Sequence, residues 1–214
     1  GGIQYIMAFP SVYEMTNPLT TVRKQHFWDY FSGATLNSRW TFTNHLGAGS
    51  GAMSDSVDGG YIVTTASATN NRSGISFNDI RPFAHDGSVM IASVKRNTAS
   101  SFIYTGLSES SDSAGSDANS ISCENDTSDT FIQLYNKGTG SALTTVTDVP
   151  IHTNYTDVKI ELLSSSATMS LDGVLKADIT SFLPTVALQP NFLVLRRISG
   201  NATGNIKYME CYNT

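Results

Sequence analysis

Apolar and polar positions alternate in short runs along most of the chain. Asp157-Val158-Lys159-Ile160-Glu161-Leu162 alternates strictly, as a strand with one buried face requires. Tyr61-Ile62-Val63-Thr64-Thr65 follows the turn signal Asp58-Gly59-Gly60, and Ser88-Val89-Met90-Ile91-Ala92-Ser93-Val94 follows Asp86-Gly87. Further runs begin at Gly74, Phe102, Ile121, Thr130, Leu143, Phe192 and Asn205. Thr168-Met169-Ser170-Leu171, Asp172-Gly173 and Val174-Leu175-Lys176-Ala177 read as two strands joined by a tight turn. No apolar period of 3.6 residues persists for three turns after residue 30. Only two short stretches, 22–30 and 180–183 before Pro184, suit a helix. About a dozen strands separated by turn clusters predict an all-β, two-sheet antiparallel jelly-roll sandwich over residues 27–214.

Residues 1–26 lack this alternation and hold Pro10, Pro18 and the basic pair Arg23-Lys24. They read as an extended N-terminal arm that contacts copies of the chain or a neighbouring structural subunit. The chain opens Gly1-Gly2, so residues 1–6 are either left by processing or precede a natural start at Met7. No signal peptide is read after Met7.

Composition narrows the partners. The 214 residues carry 13 Lys+Arg against 18 Asp+Glu, a formal net charge of −5. No basic stripe exists for nucleic acid. No apolar run approaches the ~20 residues that span a bilayer. Cys123 and Cys211 lack the paired short spacing of a metal site, and both one disulfide and two buried thiols remain open. Triplets of the Asn-X-Ser/Thr type begin at Asn71, Asn125, Asn154 and Asn201.

Asp29-Tyr30-Phe31-Ser32-Gly33-Ala34-Thr35-Leu36-Asn37-Ser38-Arg39-Trp40 resembles the opening "D-x-F-x-G-x-x-L-x-x-x-W" of concanavalin A-like lectin/glucanase (LamG-like) jelly rolls. Gly60-Tyr61-Ile62-Val63-Thr64, Gly106-Leu107-Ser108, Leu171-Asp172-Gly173-Val174 and the closing residues 196–212 resemble later family strands in the same order. The resemblance implies the sandwich fold but hosts several functions, among them lectins, hydrolases and virion proteins. It also implies that Phe31 and Trp40 are core residues.

Glycoside hydrolases of that fold carry two glutamates and an aspartate alternating along one strand. The nearest stretch here is Glu124-Asn125-Asp126-Thr127-Ser128-Asp129. Its last acid is Asp, its intervening residues are polar, and the Trp preceding the family motif is absent. It reads as a solvated acidic hairpin tip, so no catalytic residue is assigned. Asp112, Asp117, Asp126 and Asp129 are the candidate oxygen ligands for a calcium ion. No spaced Asp-x-Asp-x-Asp-Gly loop appears, so no metal or cofactor is assigned. His26, His45, His85 and His152 have neither metal spacing nor a neighbouring nucleophile motif. Gly47-Ala48-Gly49-Ser50-Gly51 reads as a flexible loop, and residues 108–119 as a solvated one.

Flat aromatic faces could stack on sugars. Trp28, Tyr104, Tyr135 and Tyr155 are the predicted ligand-binding residues, with Tyr30 a further candidate. The expected function is a non-catalytic structural or assembly protein (virion decoration, spike or appendage subunit) at an extracellular or virion surface, with surface glycans as partners. A carbohydrate-binding lectin module is the alternative, and a glucanase-type glycoside hydrolase the third reading.

Overall fold

A computed structural model describes residues 25–54, 59–112 and 119–214. All but the last two residues of the expected arm, 1–26, lie outside them. Two antiparallel sheets account for the described chain, which contains no helix among the described residues.

The first sheet runs β13(Val174–Ile179), β12(Ala167–Leu171), β11(Tyr155–Leu162), β6(Ser88–Arg96), β15(Ala202–Asn213), β4(Tyr61–Thr65), β3(Gly49–Met53), and β1(His26–Asp29) pairs with the second half of β15. The second runs β10(Ser141–Pro150), β9(Phe131–Lys137), β8(Ser120–Asp126), β7(Ser101–Ser108), β14(Gln189–Arg196), β5(Arg72–Ser76), β2(Thr41–Leu46). Alternate residues of both sheets close a single core. Val158, Ile160 and Leu162 of β11 share this core with Ile121 and Cys123 of β8, Ile132 and Leu134 of β9, and Phe192 and Val194 of β14. Cys123 and Cys211 belong to opposite sheets and are free, buried thiols.

The predicted strands from Tyr61 onward are all present. Three others were not predicted. The stretch 22–30 contains β1 rather than a helix. Residues 180–183 are irregular, with Phe182 at φ 54°. The glycine-rich stretch is largely strand β3, because pairing with β4 supplies the ladder its own residues do not advertise. Asp172 and Gly173 have φ of 49° and 80°, the two positive values a two-residue I′ turn requires.

The opening motif has a physical explanation. The indole N–H of Trp40 donates to Asp29 Oδ2 at 3.0 Å, and the Phe31 amide donates to Asp29 Oδ1 at 2.7 Å. One carboxylate therefore fixes two buried aromatics and supports Phe31 at a φ of 47°. Trp40 then packs against Phe27, Phe31 and Phe77, with ring centroids 5.5, 5.4 and 5.0 Å away. Burial raises the Asp29 carboxyl above its ordinary pKa, opposed by these two hydrogen bonds. Asp29→Ala leaves a buried indole N–H unpaired, and we expect it to cost about 1–3 kcal/mol in urea unfolding.

Candidate active site

Strand β8 serves two faces. Ile121 and Cys123 enter the core, so Ser120, Ser122, Glu124 and Asp126 lie on the outer face of the seven-stranded sheet. All four are buried, Glu124 at 7% exposure and Asp126 at 4%. Glu124 and Asp126 thus stand on an ordered strand, in place of the expected solvated hairpin tip. The turn begins only beyond Asp126, where the Asp129 amide donates to the Asp126 carbonyl oxygen at 3.1 Å.

Register builds the surroundings of Glu124. Tyr104 of β7 and Gln133 of β9 pair directly with it. One rung away Ser122 pairs with Gly106 and Tyr135, and one rung the other way Asp126 pairs with Phe102. A side chain at Gly106 would collide with the β8 backbone, its Cβ lying 2.0 Å from the Ile121 carbonyl oxygen. Glycine therefore lets β7 and β8 approach beneath the site.

Asp126 accepts from the Ser128 amide at 3.0 Å, the Ser128 hydroxyl at 2.7 Å and Arg197 Nε at 3.1 Å. Three donors are what an ionised carboxylate accepts. The Arg197 guanidinium also stacks 4.5 Å over the Phe102 ring, which itself packs on Tyr104 at 4.2 Å. Glu124 differs. Burial, then the nearby Asp126 and Asp129, push its pKa up to about 8, against the opposing effects of Arg197 and a hydrogen bond from Tyr104. Its Oε1 has no protein partner. Burial and Asp126 also raise Asp129. The arrangement holds a protonated carboxylic acid beside a fixed carboxylate, the division of roles needed to donate a proton and to stabilise positive charge.

The predicted ligand residues separate. Tyr104 and Tyr135 flank Glu124, and the charge of Glu124 helps to raise both phenols, second to burial. Trp28 and Tyr155 belong to the other sheet. Trp28 packs against Tyr30, with centroids 5.6 Å apart, and Lys95 and Lys207 lie 5.4 and 5.2 Å from the Tyr155 ring. Gln133, Phe102 and Arg197 were not singled out in the sequence. For the first two, the period-2 pattern gives the face of the strand, but only pairing with β8 places them beside the acids. Of the suggested calcium ligands, Asp112 is bound by Arg72 and Asp126 by Arg197, while Asp117 lies outside the described residues. No group of three metal-ligating side chains occurs among the described residues.

No family model and no curated protein matches the chain by sequence. Solved structures match its fold. A Bacillus licheniformis β-glucanase superposes with a TM-score of 0.61 at 13% identity, covering 88% of this chain and 98% of its own. A Bacteroides ovatus family 16 glycoside hydrolase from a mixed-linkage glucan locus gives 0.61 at 12%, covering 86% and 98%. The Crh5 transglycosylase gives 0.62 at 14%, covering 88% and 84%. The chain has the concanavalin A-like lectin/glucanase jelly-roll fold. These matches are to carbohydrate-active enzymes. They overturn the expectation of a non-catalytic virion decoration, spike or appendage subunit, and the expectation that the chain is not an enzyme.

The acid pair also has a cost to the fold. Glu124 ionises near 4.5 when exposed and near 8 in the folded chain, so the folded state holds its proton more tightly. The fold therefore loses stability as pH rises through that window. We expect Glu124→Gln to melt several degrees above wild type near pH 8.5 and at the same temperature near pH 4, measured by circular dichroism.

Proposed function

We propose that the chain is a carbohydrate-active enzyme that cleaves or transfers a glycosidic bond of a β-glucan. The observation that carries this reading is the buried, proton-holding Glu124 beside the Arg197-bound Asp126, on the outer face of a glucanase-like sandwich. Glu124 donates its proton to the glycosidic oxygen as the bond to the anomeric carbon breaks. The Asp126 carboxylate supplies negative charge near the cation-like centre that develops. Asp129, next to both and less buried, accepts a proton from the attacking water or sugar hydroxyl, whose oxygen bonds the anomeric carbon. Net proton transfer then restores Glu124. Tyr104 and Tyr135 offer flat faces to the sugar rings, and the Gln133 amide offers hydrogen bonds to their hydroxyls.

The three acids follow the order Glu124, Asp126, Asp129, so the last position carries a side chain one methylene shorter than a glutamate.

Incubation with mixed-linkage β-glucan should release reducing ends or form transfer products, and Glu124→Gln should lower the rate by about 10²-fold or more. The rate should fall as pH rises past about 8, where Glu124 loses its proton. A wild-type chain inert on a panel of β-glucans, or an undiminished Glu124→Gln, would refute the assignment.

A further inference from the structure

Among the described residues, the outer face of the seven-stranded sheet is open on one side of Glu124 and walled on the other. Residues 110–112, just beyond β7, double back over β14 and β5. The Asn191 amide of β14 donates to the carbonyl oxygens of Ser111 at 2.7 Å and Ser110 at 3.4 Å. Arg72 of β5 grips Asp112 with two bonds of 2.7 Å. The Ser111 amide donates to Asp79 at 2.9 Å, and Asp79 is held in turn by Gln189 at 3.0 Å. Asn191 and Gln189 are consequently 2% and 0% exposed, although both lie on the outer face of their strand.

The wall's position matters. Glu124 shares a rung with Tyr104 and Leu193 on one side and with Gln133 and Thr145 on the other. Asn191 lies on the rung of Ser122, and Arg72, through Leu195 and Phe102, on the rung of Asp126. The strap between them therefore crosses the Glu124 rung between β14 and β5. Two to three strand spacings, about 10–14 Å, separate that point from β8. Toward β9 and β10 the described residues leave the face open, with Leu143 51% exposed.

Resting on the glycan-cleaving reading above, we infer that the strap makes the site one-sided, so that it takes the end of a glucan chain or a short oligosaccharide rather than the interior of a long polymer. A chain laid along the rung would have sugar positions over Gln133 and Thr145, with Tyr135 and Leu143 one rung to the side. It would run into the chain's own backbone a short way past Tyr104.

The test uses Glu124→Gln as a non-cleaving binder, titrated calorimetrically with linear β-glucan oligosaccharides from disaccharide to octasaccharide. Affinity should rise to about the tetrasaccharide and then change by less than about twofold per added sugar. Adding Asp112→Asn or Asn191→Ala should loosen the strap and let affinity climb with length past that point. The two variants act on different anchors, and circular dichroism confirms that each is folded. Affinity that keeps climbing through the octasaccharide with the strap intact would overturn this inference while leaving glycan cleavage standing, as would mid-chain cutting of polymer by the wild-type chain. No binding at any length would refute the glycan-cleaving reading, and this inference with it.

Discussion

The strict two-residue period of β8 is the constraint on which the rest depends. Ile121 and Cys123 must enter the core for the sandwich to close, and this leaves Glu124 and Asp126 together on the opposite face. A slip of one residue would put both acids into the apolar interior and both apolar residues outside. Pairing with β7 and β9 then fixes which side chains stand beside the acids. The fold and the chemistry are thus set by the same register.

Burial of that face gives the acids their character. In water Glu124 would be an ordinary carboxylate. Buried beside two more acids, its charged form is disfavoured enough to keep a proton near neutral pH. Asp126 is nearly as buried, but Arg197 and Ser128 satisfy it with hydrogen bonds. Arg197 is itself held by the Phe102 ring. Apolar packing on the outer face therefore acts on electrostatics at one remove. Phe102 positions a cation, the cation secures a carboxylate, and that carboxylate raises its neighbour.

The same sheet carries a second network with a different purpose. Arg72, Asn191 and Asp79 spend their polar groups on the backbone and side chains of the strap rather than on solvent, and Gln189 holds Asp79 in place. They are side chains that β5 and β14 direct away from the core, or, for Asp79, follow closely after β5. Among the described residues, the outer face is divided into a half satisfied by the chain itself and a half left open, and Glu124 stands at the boundary.

Much of the architecture was legible in the residues. Strict alternation in 157–162 and the Asp172-Gly173 turn each report a local rule, so the sandwich follows from neighbours in sequence, while the burial of Trp40 was implied by the family resemblance of the Asp29-to-Trp40 motif. β3 was not legible, because glycine carries no pattern and only its pairing with β4 makes it a strand. The site was legible only as a list of acids. Glu124, Asn125 and Asp126 look like a polar tip, since polarity in sequence marks a turn as readily as it marks a buried functional face. Tyr104 and Tyr135 share one property with Trp28 and Tyr155 in the sequence, a flat ring, yet strand order assigns the pairs to different sheets. Sequence by itself determined the period of the strands and hence the sandwich. The tertiary structure alone decided which strands are neighbours, and so which groups desolvate Glu124, because the contacts that set a carboxyl's protonation join residues remote along the chain.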